Sequence, residues 1–313
     1  MQQTATPNHA FGGVFAATIC PMAPTGEIDT DNLARHLAAV TGTDGISGLL
    51  LNGHAGESFA LERAECATVI RTARAMGGKT LIVAGINAER TDMASTLAQD
   101  AAREGADAVM VFPPFSWALG ADDRLIVEHH RAVAAASGLP LFLFQGSVSA
   151  GKTAFSAAVL ARLLEIESVV GIKEGSWETA AYDATRRLSK RLRPDVAVMA
   201  SGDEHLFPCF AIGSDGSLVS LAAVVPEMIV ALERAVSKGD LAEGRALHDR
   251  LYPLARAIYG APGHLATLRI KTCLQLLDRL PNVASRSPIT QLEPVEIRQL
   301  AEALAAAVRP APR

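Results

Sequence analysis

Lys173 closes the run Val169-Val170-Gly171-Ile172-Lys173-Glu174, a short apolar stretch of the kind that forms a buried strand. An ammonium at the end of such a strand is costly to keep charged, so its pKa falls and free amine becomes available to attack a carbonyl carbon. The chain has six lysines, and only Lys173 ends a strongly apolar strand pattern. The alternative is a lysine whose stem packs on the strand while its head reaches water. A second cluster is Gly53-His54-Ala55-Gly56-Glu57. Two glycines around two residues allow a tight turn with N–H groups facing inward, a cradle for a carboxylate. Glu57 is placed to cap that loop by accepting backbone N–H groups, and His54 has the titration range of a general acid or base. A plain strand-to-helix turn carrying a surface histidine fits the same residues. A third cluster, Gly146-Ser147-Val148-Ser149-Ala150-Gly151-Lys152-Thr153, fits the phosphate-binding pattern G-x-x-x-x-G-K-T.

These groups need a frame that brings them together. Apolar strand-like runs recur at Gly13–Cys20, Ile46–Asn52, Thr80–Ile86, Asp107–Pro113, Pro140–Gln145, Val169–Glu174, Val196–Asp203 and Gly216–Ala222. Helical patterns separate them. Helix openings are expected at Asp29-Thr30-Asp31, Ser58–Glu62, Thr91-Asp92 and Asp122-Asp123, with stops at Gly42 and Gly138. Eight nearly unbroken apolar strands joined by helices predict an α/β fold, a closed (β/α)8 TIM barrel. No G-x-G-x-x-G follows the first strand, which argues against an open doubly wound sheet. After Ala222 only helices are expected, at 226–238, 241–259, 264–277 and 294–308. The resulting division is a tail at 1–10, a barrel at 11–238, a C-terminal helical extension at 239–308 and a tail at 309–313. In a barrel the active site lies at the C-terminal ends of the strands. That rule gathers Lys173, the 53–57 loop, Phe144-Gln145 and Ser201-Gly202-Asp203-Glu204 on one rim.

Composition narrows the partners. The chain has 313 residues, 49% hydrophobic and 20% charged, with a net charge of -4. No basic patch points to nucleic acid, and no segment reads as membrane-spanning. The four cysteines lack metal-ligand spacing and read as free thiols in a reducing cytoplasm. The phosphate-binding pattern is weakened because it follows the fifth strand of a repeating series, where such loops usually open a domain. Asp203 is the only weak candidate for a Mg²⁺ partner.

The segments Gly53-x-x-Gly56-Glu57, Gly171-Ile172-Lys173-Glu174, Ser201-Gly202-Asp203 and Gly213-x-x-Gly216 together resemble the family of dihydrodipicolinate synthase and N-acetylneuraminate lyase, in order and spacing, over about residues 12–300. The resemblance implies a (β/α)8 barrel with extra C-terminal helices and a homotetramer built as a dimer of dimers. It also implies a Schiff base between Lys173 and pyruvate or another 2-oxo acid, with no metal and no organic cofactor. Leu218 matches a family position that lines the pyruvate pocket, with plain core packing as the alternative. Lys152 falls near a basic residue that contacts the substrate's distal carboxylate. Three departures stand out. The family's strand-five tyrosine, which relays protons, is replaced at Phe144-Gln145. The two loop threonines are replaced by His54 and Ala55. A tyrosine lent across the dimer falls near Phe115. The expected function is therefore a class I aldolase-type lyase, or a hydro-lyase, without the usual tyrosine relay. His54 is its candidate acid/base, and Phe144, Phe115, Gln145, Lys152 and Asp203 shape the site. A barrel that binds a 2-oxo acid without turnover, or a nucleotide-binding protein, are the alternatives.

Overall fold

The computed structural model describes residues 10–149 and 151–308, and of Lys152 the backbone alone. Eight strands alternate with eight helices. They are β1 (Gly13–Ala17), α1 (Thr30–Thr41), β2 (Ile46–Leu51), α2 (Arg63–Ala75), β3 (Leu81–Ile86), α3 (Thr91–Arg103), β4 (Ala108–Val111), α4 (Asp123–Ser137), β5 (Leu141–Gln145), α5 (Ala157–Leu163), β6 (Val169–Glu174), α6 (Thr179–Leu192), β7 (Ala197–Ala200), α7 (Leu206–Ala211), β8 (Gly216–Val219) and α8 (Pro226–Ser237). The strands form a closed barrel in sequence order, each parallel to the next. β1 and β8 close it, with Gly13 opposite Gly216. A Cβ on Gly216 would lie 2.0 Å from the Gly13 carbonyl oxygen, so the seam requires a glycine.

The side chains divide by strand parity. Inward positions form a compact inner cluster that includes Phe15, Leu50, Met110, Phe112, Phe142, Met199 and Leu218. Outward positions join the helices in a second, larger cluster. Bulky inward rings are matched by glycines: a Cβ on Gly48 would strike Phe15, and one on Gly171 would strike Phe142.

Each strand stops at or before the end that its apolar run suggests. Asn52, Pro113, Ser201-Gly202-Asp203 and Ser220–Ala222 belong to the loops of the mouth rather than to strands. Asn52 marks the change with a positive φ of 53°. The second helix starts at Arg63, later than its polar opening suggests, because Ser58–Ala60 form a short 3₁₀ turn and Glu62 and Glu65 make the capping box. Three further helices complete the described residues: α9 (Leu241–Tyr259), α10 (Ala266–Leu276) and α11 (Pro294–Val308). The tails at 1–9 and 309–313 lie outside the described residues. Among the described residues no helix is long and apolar enough to cross a membrane.

Candidate active site

Parity decides which residues of β5 and β6 face the barrel axis. Phe144 pairs with Lys173, and Gln145 with Glu174. Phe144 and Lys173 point inward; Gln145 and Glu174 point out. The Lys173 Nζ lies 5.5 Å from the centre of the Phe144 ring and 6.0 Å from that of Phe112. Lys173 is only 9% exposed. Burial brings its ammonium pKa down to about 8, against the opposing pull of the Asp203 carboxylate. Around it opens a cavity of about 640 Å³, lined by His54, Ala55, Phe115, Phe144, Asp203 and Tyr259 among others.

Asp203 follows β7 at the same rim. Its Oδ1 accepts the Leu221 N–H at 2.9 Å, just past β8. Burial lifts its carboxyl to about 6, and the backbone hydrogen bond and Lys173 oppose that rise. Glu174, on the outer face, is lifted by burial to about 7 and is held by the hydroxyls of Ser176 (2.8 Å) and Thr185 (3.3 Å).

The 53–57 loop closes on itself. The N–H groups of Gly56, Glu57 and Ser58 donate to carbonyls of Gly53 and His54. The N–H groups of His54 and Ala55 take no part in these turn bonds, and both residues line the cavity. The His54 ring lies 4.4 Å from Phe112, 5.6 Å from Phe144 and 6.1 Å from Phe115. Burial and the nearby Lys173 charge push its pKa down to about 4. At neutral pH it is an uncharged imidazole in an aromatic cage, ill suited to the acid half of the part expected of it.

Several expectations change on contact with the structure. Glu57 does not cap its own loop: its carboxylate pairs with Lys271 of α10 and accepts the Ser285 hydroxyl. Gln145 does not reach the substrate space: its amide bonds both ways to the Phe155 backbone, at 3.1 and 3.0 Å. That follows from its outward parity. Leu218 is fully buried in the inner cluster and packs as core rather than lining the cavity. Trp117, two residues past Phe115, is buried against His129 and His130. The Lys152 side chain lies outside the described residues. The 146–153 segment does not lead directly into a helix: Gly151–Thr153 form a 3₁₀ turn, and α5 begins at Ala157 behind its own cap, Ser156. A phosphate-binding loop needs its lysine and threonine on the first turn of the helix, and here they precede it. Phe115 does sit at the mouth, 54% exposed, with its N–H held by Glu89 at 2.9 Å.

The C-terminal helices contribute a wall that the local sequence did not announce. α9 ends at Tyr259, whose ring packs edge-on against Trp177 with centres 5.2 Å apart. The buried Arg269 donates to the carbonyls of Ile258 (3.1 Å) and Gly260 (2.5 Å) and pairs with Glu296. A cation there satisfies the open carbonyls of a helix C-terminus and holds Tyr259 in place. Arg256 ties α9 to Glu204, beside Asp203, at 3.1 Å. Arg286 reaches across the rim to Glu65 and to the Ala60 carbonyl. Among the described residues, no group of three or more His, Cys, Asp or Glu side chains is arranged to hold a metal.

The chain matches the Dihydrodipicolinate synthetase family over residues 10–307. It belongs to that family. It is 32% identical to 4-hydroxy-tetrahydrodipicolinate synthase 1 of Streptomyces coelicolor over 280 residues, covering 89% of this chain and 88% of the relative. It is 29% identical to the 4-hydroxy-tetrahydrodipicolinate synthase of Moorella thermoacetica, over 94% of this chain and 97% of that one. Among solved structures, dihydrodipicolinate synthase from Agrobacterium tumefaciens superposes with a TM-score of 0.85 at 27% identity, covering 95% of this chain and 98% of the other. YagE, a prophage protein of E. coli solved in complex with pyruvate, shares the fold with a TM-score of 0.88 at 22% identity, covering 95% and 98%. Family membership makes the chain an aldolase-type lyase.

Proposed function

We propose that Lys173 forms a Schiff base with pyruvate or another 2-oxo acid, and that the protein makes or breaks a carbon–carbon bond next to the iminium. The observation that carries this reading is Lys173 itself: a buried amine with a pKa near 8, aimed into a cavity at the C-terminal mouth of the barrel. About a tenth of it is uncharged at pH 7, far more than for a lysine in water. Once formed, the iminium draws electrons from the neighbouring carbon and stabilises the carbanion left when the bond breaks. The N–H groups of His54 and Ala55, outside the loop's turn bonds and on the cavity wall, would hold the 2-oxo carboxylate, and the Phe112, Phe144 and Phe115 rings would keep that end apolar. Retro-aldol cleavage releasing pyruvate is the first choice of reaction. Dehydration of a deoxy sugar acid would pass through the same iminium.

Borohydride trapping with pyruvate tests this, read by intact-protein and peptide mass spectrometry. A single pyruvate adduct on Lys173 is expected, absent from Lys173→Ala. Its rate of formation is low in acid, where Lys173 stays an ammonium, and rises as the pH increases toward neutral. If pyruvate and longer 2-oxo acids all leave Lys173 unmodified, the Schiff-base reading is wrong.

A further inference from the structure

The strand-five position that faces Lys173 is Phe144, which cannot carry a proton. Forming and hydrolysing a Schiff base nevertheless requires protons to move on and off the substrate oxygen. The chain has three tyrosines. Tyr182 donates its hydroxyl to the Val198 carbonyl at 3.1 Å, outside the barrel. Tyr252 lies on the surface, 43% exposed, beside His248. Tyr259 alone lines the cavity that holds Lys173. Its Oη is buried and interacts with the Asp203 carboxylate and the Ser220 hydroxyl, in neither case with the geometry of a full hydrogen bond. A buried phenol hydroxyl whose contacts fall short of full hydrogen bonds calls for an explanation. A substrate oxygen in the cavity supplies one. Asp203 in turn faces both Tyr259 and Lys173. Its Oδ1 is occupied by the Leu221 N–H, which leaves Oδ2 for proton exchange.

We propose that Tyr259 is the phenol that moves protons to and from the substrate oxygen at Lys173, with Asp203 as the carboxyl that refills it. The inference rests on the Schiff-base reading. The neutral Lys173 amine adds to the keto carbon, and the nitrogen gives up a proton to the alkoxide, leaving a carbinolamine. The C–O bond then breaks. The departing hydroxyl takes the Tyr259 proton and leaves as water, while Asp203 passes its own proton to the phenol oxygen. The products are an iminium and an Asp203 carboxylate beside it, so charge and atoms balance. Hydrolysis runs the same path backwards. The environment supports this exchange: burial lowers the amine and lifts the carboxyl, so the neutral pair lies much nearer in energy to the ion pair than it would in water. The phenol thus comes from α9, beyond the barrel, instead of from a strand.

The test measures the rate of borohydride-trapped adduct formation with pyruvate, and the exchange of pyruvate methyl hydrogens for deuterium by NMR. Wild type, Tyr259→Phe, Asp203→Asn and the double variant are compared. Phenylalanine preserves the ring that packs on Trp177. Each single variant is expected to slow both processes about 100-fold or more, with pyruvate affinity little changed and the adduct still reaching Lys173 at long times. The double variant should be no slower than the worse single one, since one relay is being cut twice. A wild-type rate in either single variant overturns the proposal, as does a double variant slowed by the product of the two effects. Wild type failing to form any adduct is a different result, and it overturns the Schiff-base reading together with this one.

Discussion

The strand ends of the barrel and the C-terminal helices both line the same cavity, but they place their residues by different physics. At the strand ends the backbone decides. Phe144 and Lys173 face the cavity, while Gln145 and Glu174, one residue on, face the helices. A period of two leaves no choice once the register is set. In the C-terminal extension, side-chain ion pairs between distant residues decide. Lys271 finds Glu57 across 214 residues, and Arg286 finds Glu65 across 221. The rim is therefore stiff by construction, whereas the wall that carries Tyr259 is as firm as its charged contacts.

The contrast is tested most severely at Lys271. Both members of the Lys271–Glu57 pair are buried, and Ser285 alone would remain for the carboxylate if the lysine were lost. Lys271→Met should lower stability in urea unfolding by about 3–5 kcal/mol, because it strands a buried charge. A loss below about 1 kcal/mol would show that packing, not this pair, docks the extension. The barrel has its own test in Gly171. An added Cβ would come within 2.3 Å of the Phe142 ring, so Gly171→Ala should cost about 1–3 kcal/mol in the same assay by overpacking the inner cluster. If it is neutral, the inner layer is looser than its fit suggests. The smallest effect is expected at Arg256, which is half in water where it meets Glu204. Arg256→Ala should change stability by no more than about 1 kcal/mol. A larger loss would mean that the join between α9 and the β7 loop bears more of the docking than its exposure implies.

Legibility follows the same division. The closed barrel, the eight strands and the starts of α8, α9 and α11 were readable, because strand parity, helix period and capping residues are local signals. Lys173 was readable for the same reason, as the one lysine ending an apolar strand. The mouth loops were read as strand because Asn52, Pro113 and Asp203 continue apolar runs, and nothing in composition marks where hydrogen bonding to the next strand stops. Glu57 illustrates the limit at the site. Its position after two glycines suggested a local cap, but a buried lysine on α10 competes for the carboxylate and wins through charge. Gln145 was placed in the site by closeness in sequence to Phe144, although parity turns it away.

The sequence by itself determined the architecture, the inward lysine at its mouth and the phenylalanine opposite that lysine, since these depend on periods and residue types that neighbours in the chain declare. Only the tertiary structure decided that Glu57 serves as an anchor for α10, that His54 is held uncharged among aromatic rings, and that Tyr259 lines the cavity of Lys173 and lies against Asp203. Burial, and contacts between residues more than fifty positions apart, settle those outcomes. Both are properties of the closed molecule, and no local stretch of chain carries them.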